Sequence, residues 1–353
     1  MSLSQFMTSR VIGKMMLASQ LMFVLLMSAT QANASDSESE GELFPDTEPG
    51  QAWTLTFEND IFAGTDGGYT NGIGFSVAHG PYESFTENNL PGWLLYLTNK
   101  TYMATLPDRQ RAVAYSYSQS MHTPTDITVT ELQLDEPPYA GFLGARAMLY
   151  AFDKIHSDQL SLTVGVVGEL SLAEPSQRFI HRITGSEEPK GWDNQLGNEL
   201  VFLIAASHGE RVFASSSERA LESDLILRGT AGVGTIQSGA SVSAVFRVGN
   251  LLELSHATAS LLPDRQVNNL AFLNDSAWYA FVGGEVGVVV NDIFINGNTF
   301  RDSHSVPLDH SRSMMSAGVS WNMGTFAFTL LYAETKGGGE VDPFGSFSIT
   351  HQY

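Results

Sequence analysis

From about residue 50 onward the chain alternates large apolar residues with small or polar ones. The run Trp53, Leu55, Phe57 is interleaved with Thr54, Thr56 and Glu58. Over 69–77, Tyr69, Ile73, Phe75 and Val77 stand on one face, and Thr70, Gly72, Gly74 and Ser76 on the other. Near the end Phe326, Phe328, Leu330 and Tyr332 alternate with Thr325, Ala327, Thr329 and Ala333. The last stretch sets Phe347, Ile349 and Tyr353 against Ser346, Ser348, Thr350 and Gln352. Period two predicts strands. A soluble sandwich also alternates, but it buries its bulky face and covers the other with Lys and Glu. Here the second face is Gly, Ser, Thr and Ala, which suits a narrow polar barrel lumen with the bulky face turned to lipid.

About twelve such segments are present, near 52–59, 69–79, 111–121, 139–152, 158–171, 197–208, 222–236, 240–255, 277–291, 312–322, 324–335 and 344–353. Many reach the ~9–11 residues that a tilted strand needs to cross a bilayer. An even number is what a single-chain bacterial barrel requires. The predicted fold class is all-β, a transmembrane antiparallel β-barrel of about 12 strands.

One stretch departs from period two. Residues 171–199, "SLAEPSQRFIHRITGSEEPKGWDNQLGNE", enter a short helix at Glu174-Pro175, with proline in the first turn. Gly185 and then Pro189 end it. Helical spacing puts Gln177, His181 and Thr184 on one face and Arg178 and Arg182 on the next. This is a short helix in a loop joining two long strands.

The N-terminus adds a destination. Arg10 and Lys14 precede an apolar run over 15–29, and Ala32-Asn33-Ala34 is an A-x-A cleavage site, so 1–34 read as a signal peptide. The run is shorter than the roughly 20 residues of a spanning anchor. Export takes away two basic and no acidic residues, so the net charge of −20 becomes −22. Residues 35–50 are acidic and Ser-rich and read as disordered, leaving 51–353 as the barrel. Such acidity argues against a nucleic-acid partner, which calls for a basic stripe. With no cysteine in the chain, disulfide scaffolds, thiol chemistry and cysteine-based zinc sites are excluded.

Candidate chemistry gathers at two places. Asn59-Asp60 interrupts the first alternating run, and Thr65-Asp66-Gly67-Gly68 follows; the stretch reads either as an Asx-rich turn or as half of a site. His181 reads either as a packing or surface histidine or as a general base. Trp192 beside Asn194-Gln195 reads as an interfacial anchor next to a polar loop. Taken together, Asn59, Asp60 and Glu187 supply the amide and carboxylate oxygens that a hard cation wants. No G-x-S-x-G elbow provides a serine nucleophile. A cation that stabilises an oxyanion and a histidine that activates water would together suffice for ester hydrolysis.

"FENDIFAGTDGGYTNG" (57–72), "DEPPYAGF" (135–142), "VGVVGELSLAEPSQRFIHRITG" (164–185), "GWDNQLGNE" (191–199) and "FGSFSI" (344–349) resemble the lipid A 3'-O-deacylase family, the LpxR-like outer-membrane proteins. The resemblance runs from about Trp53 to the C-terminus. It implies a twelve-stranded barrel with its site between the outer wall and a short helix from an extracellular loop. It also implies Ca²⁺-dependent removal of the 3'-linked acyloxyacyl group of lipid A in the outer leaflet, by a monomer. By motif, the family's functional residues fall on Asn59, Asp60, Thr70, Gln177, His181 and Glu187, with Asn59, Asp60 and Glu187 at the metal. The turn at Gly67-Gly68 lacks a basic residue, so Arg178, Arg182 or Lys190 are the candidates for a lipid A phosphate. An outer-membrane phospholipase, or a non-catalytic barrel or pore, are the competing functions.

Overall fold

The computed structural model describes residues 50–59, 68–215, 221–256, 259–260, 266–267, 277–337 and 340–353. The expected signal peptide and acidic segment lie outside the described residues, apart from Gly50.

Twelve antiparallel strands close into a barrel. They are β1 (Gly50–Asn59), β2 (Gly68–Tyr82), β3 (Gln110–Thr123), β4 (Ala140–Phe152), β5 (His156–Val167), β6 (Glu199–Ser215), β7 (Glu222–Gly234), β8 (Gln237–Asn250), β9 (Trp278–Asp292), β10 (Ser311–Met323), β11 (Phe326–Gly337) and β12 (Glu340–Gln352). Each pairs with its sequence neighbour, and β1 pairs with β12 to close the ring. Closure leaves no edge strand, so the backbone groups of the wall are satisfied within it, which is the condition for a wall immersed in lipid. Both termini leave at one end, and the β1–β2 and β5–β6 connections open at the other, extracellular end. Among the described residues three short helices accompany the strands: α1 (Gly92–Thr98), α2 (Ala173–Thr184) and a single turn, α3 (Ile293–Asn296).

The predicted faces are the observed ones. Thr54, Ser346, Ser348 and Thr350 are buried toward the lumen, while Phe57, Ile73, Phe75, Leu200 and Val290 are exposed outward. Hydroxyls zip the closing seam from inside, with Thr54 Oγ1 2.8 Å from Thr350 Oγ1 and Thr56 Oγ1 3.1 Å from Ser348 Oγ. Three differences from the sequence pattern matter. The expected strand over 158–171 ends at Val167, because Gly168 adopts φ +100° and a short 3-10 turn follows over Glu169–Ser171. The expected strand over 240–255 ends at Asn250, and the chain turns at Leu251, which adopts φ 54°.

The third difference is the lumen, which is not uniformly polar. Against β3–β6 it is apolar: Ala112, Ala114, Met148, Tyr150 and Phe152 pack together, as do Phe142, Val167, Val201, Leu203 and Ala205. Polar lining would leave a water-filled channel. Here the β9–β10 connection enters the extracellular mouth, places Ile293 in that apolar cluster and stacks Phe294 on His122 at 3.8 Å. Glu199 receives the backbone N–H groups of Thr299 and Phe300 and pins the loop in place. At the other mouth, Arg211 and Arg247 share Asp224, at 2.9 and 2.5 Å, and both reach the carbonyls of Leu252 and Ser255.

Candidate active site

The site is built on the outside of the wall. Register carries an outward row across four strands: Asn59 pairs with Asn71, Asn71 with Met121, and Met121 with Gly141. At Gly141 the chain after β5 returns to the wall. A Cβ there would stand 2.1 Å from Ser171 Oγ and 2.3 Å from Ala173 Cβ, so only glycine admits the start of α2. Gln119, on the same outward face, donates from Nε2 to the Ser171 carbonyl at 2.6 Å. Met121, Tyr139, Ala173 and Trp192 bury one another at this contact. The loop helix therefore lies against the lipid-facing wall at its extracellular end.

Why this segment is helical follows from its ends. Leu172 takes the left-handed conformation (φ 57°) and swings the chain out of the preceding 3-10 turn. Gly185 takes it at the other end (φ 77°), and its N–H caps the His181 carbonyl at 2.8 Å. Between them the i, i+4 spacing turns Gln177 and His181 to the wall, both buried, while Phe179, Arg182 and Ile183 face out.

Two hydrogen bonds fix the chemistry of those buried side chains. His181 Nδ1 lies 2.5 Å from the Glu187 carbonyl. A carbonyl can only accept, so Nδ1 carries the hydrogen, and in the neutral ring Nε2 is the basic nitrogen. Trp192 Nε1 donates to Gln177 Oε1 at 2.7 Å. The indole can only donate, which sets the amide's orientation by chemistry and leaves Gln177 Nε2 as a buried donor with no partner among the described residues. Trp192 is fully buried against Tyr139, ring centroids 5.0 Å apart, so it is a positioning residue of the site and not an interfacial anchor. Burial pushes the Tyr139 phenol up to about 12, and it donates to the Ile127 carbonyl at 3.1 Å.

The remaining candidates divide. Asn59 ends β1 on the outward face, half-buried, whereas its neighbour Glu58 faces the lumen and is buried there. Asp60 lies outside the described residues. Thr70 lies in β2, where the β2–β3 register shifts between Tyr69 and Asn71, a bulge that the strict alternation of the sequence hides; its side chain is outside the description. Glu187 meets His181 through its carbonyl, and its carboxylate is exposed. Arg178 is held by Glu174 at 3.0 Å and Glu188 at 2.8 Å, and Arg182 and Lys190 are exposed. Sequence reasoning missed Gly141 and the Trp192–Gln177 bond. Their signals were the "YAG" and "GWD" stretches already noted, but neither carries a period.

A family model described as outer membrane protein LpxR matches residues 19–353. The chain belongs to that family. It is therefore an outer-membrane protein of lipid A deacylase-like type. Its fold is similar to that of LpxR from Salmonella typhimurium, with TM-score 0.70 and 15% identity over 85% of this chain and 99% of that one. The β domain of the Bordetella autotransporter BrkA aligns at TM-score 0.38 and 9% identity, over 86% of this chain and 98% of that one. The NalP translocator domain from Neisseria meningitidis aligns at TM-score 0.39 and 9% identity, over 96% of each chain. Both of these scores are too low to bear on the fold. No curated protein matches the chain.

Proposed function

We propose that the protein hydrolyses a carboxylic ester of lipid A, releasing the 3'-linked acyloxyacyl group. The observation that carries this is His181. It is buried on a helix laid against the lipid-facing wall, and the Glu187 carbonyl holds its ring in the tautomer that leaves Nε2 as base. A substrate with acyl chains in the outer leaflet reaches such a site laterally, without entering the lumen. His181 Nε2 takes a proton from water as its oxygen bonds to the ester carbonyl carbon. When the tetrahedral adduct collapses, the carbon–oxygen bond to the sugar breaks and the proton passes to the departing oxygen. The products are a free acid and a sugar hydroxyl. Gln177 Nε2, aimed by Trp192, is a donor for the oxygen that gains charge.

Length supports the pairing of the two half-sites. From Met121 to Asn59 the row crosses two strand spacings, roughly 10 Å. From Ala173 to His181 the helix rises eight residues, about 12 Å. The two lengths match, so a helix directed from Gly141 toward β1 would bring His181 to the level of Asn59.

For the metal, consecutive amide and carboxylate oxygens at Asn59 and Asp60 are the chemistry a Ca²⁺ ion prefers. Of the expected ligands, only Asn59 is described on the outer wall, and the exposed Glu187 carboxylate would have to turn inward to join it. Asn59, Asp60 and Glu187 would hold the ion, and Ca²⁺ would supply positive charge to stabilise the oxyanion. Thr70, next to Asn71 in β2, is the last member of the proposed set.

Mass spectrometry of lipid A from cells expressing the protein tests the proposal. Wild type should lose the mass of one acyloxyacyl group, and His181→Ala should not. Unchanged lipid A with free fatty acid from phospholipids would transfer the same site to a phospholipase. The pore alternative has less support, since loops enter both mouths of the lumen.

A further inference from the structure

Periplasmic connections in barrels of this kind are short turns, yet the connection between β2 and β3, at the end with the termini, spans residues 83–109 and contains α1. It folds back onto the outside of the wall. Leu90, Leu94 and Met103 are buried against Val113, Leu149 and Ala151, which share the outward face with the exposed Tyr117. The fold-back is fastened at its far end. Arg111 donates from Nη2 to the Leu106 carbonyl at 2.6 Å and lies over the Phe85 ring at 5.9 Å, and Arg109 is ion-paired with Asp153 in the β4–β5 turn.

α1 is apolar all round. Leu94 and Thr98 face the wall. On the opposite side Trp93, Tyr96 and Leu97, spaced i, i+3 and i+4, are 58%, 65% and 47% exposed, and Tyr102, in the turn after α1, is exposed too. Lys100 stands at the rim of this face, its Nζ 5.6 Å from the centre of the Tyr96 ring. A short helix with no polar face is covered on both sides in the working protein. The wall covers one side. The other is continuous with the lipid-facing surface of an outer-membrane barrel, at the level where the strands end and headgroups begin.

We propose that residues 83–109 form a membrane-interface flap that seats Trp93, Tyr96, Leu97 and Tyr102 in the phospholipid headgroup region of the periplasmic leaflet. Tryptophan and tyrosine suit that depth because each joins an apolar ring to a polar tip. Lysine beside them extends its ammonium to the water. The segment holds Glu83, Glu87 and Asp108 against Lys100 and Arg109. Its attachment is therefore by apolar insertion and insensitive to salt, unlike that of a polybasic anchor. This assignment is independent of the chemistry at His181.

The chain has no cysteine, so a single introduced one reports one position. Tyr96→Cys and Leu97→Cys, each carrying a nitroxide and refolded into phosphatidylethanolamine–phosphatidylglycerol vesicles, are compared with Glu87→Cys on the exposed start of the same segment. Power saturation should show labels 96 and 97 more accessible to oxygen than to a water-soluble nickel chelate, with the order reversed at 87 and both orders unchanged in high salt. Equal nickel accessibility at all three would place the face in water and overturn the flap. Labels at 96 and 97 shielded from both reagents, with dipolar broadening between copies, would overturn it in favour of a dimer interface. Heat-modifiable migration of each variant on a gel confirms the folded barrel in every arm.

Discussion

Gln177 and Trp192 show how a neutral amide can be given a single direction. The indole N–H reaches only the amide oxygen, so the –NH₂ group is presented on the other side, buried and without a described partner. Gln177→Glu keeps the shape and the indole bond but exchanges that donor for an acceptor. Turnover should fall about 10²–10³-fold, the usual share of one oxyanion donor. Trp192→Phe keeps the ring against Tyr139 and removes the N–H, leaving a buried oxygen unpaired. Stability should drop by about 1–3 kcal/mol in denaturant titration, with a smaller loss of turnover as the amide becomes free to flip. Wild-type turnover in Gln177→Glu would remove the amide from the reaction. Gln177 and His181 were legible in the sequence because they share a helical face at i, i+4. Trp192 was read as an interfacial anchor because a bond between an indole and an amide 15 residues away leaves no periodic trace.

At the scale of elements, the placing of α2 on the wall rests on one missing side chain. Gly141→Val would drive a branched side chain into Ser171 and Ala173 and displace the helix start. The barrel should still form and show heat-modifiable migration, while deacylation falls by about 10²-fold, as displacements near 1 Å do. Loss of folding, in place of loss of activity alone, would make Gly141 a residue of the barrel and not of the site. A second element-level test concerns the inner mouth. Asp224→Ala leaves Arg211 and Arg247 sharing a buried position without their counter-ion, which should cost about 3–5 kcal/mol in the urea unfolding of the refolded barrel. The strands were legible because lipid and lumen impose opposite demands on alternate residues. Their ends were not. Residues 251–255 continue an apolar pattern, yet they turn inward, where the Leu252 and Ser255 carbonyls serve the two arginines. A backbone acceptor has no sequence signature, and neither has the bulge at Thr70.

For the whole molecule, the loops that enter both mouths tie barrel stability to the protonation of a group that no strand carries. His256 follows β8 in the connection that enters the inner mouth, and it is buried with Arg211, Arg247, Arg228 and His156 around it. Burial first, and then those positive neighbours, hold its imidazole well below the ordinary 6.5. The geometry agrees: Nε2 lies 2.6 Å from the Asp153 carbonyl, so Nε2 carries the hydrogen, and Nδ1 is buried with no described acceptor for a second one. The sign of the linkage follows. Above about pH 6.5 the ring is neutral in both the folded and unfolded chain and its titration adds nothing. As pH falls below that value the unfolded chain binds a proton that the folded chain refuses, so stability declines until the depressed folded value is reached. His256→Gln keeps a donor of similar reach for the Asp153 carbonyl but cannot be protonated. Urea midpoints of the detergent-refolded barrel, taken from pH 7.5 to 5, should therefore fall less steeply in His256→Gln than in wild type. The interval stops above the range where most carboxylates titrate, so the difference between the two slopes belongs to the histidine. Parallel slopes would mean that the mouth opens before His256 is protonated, and that the loop there is a plug of low stability instead of part of the fold.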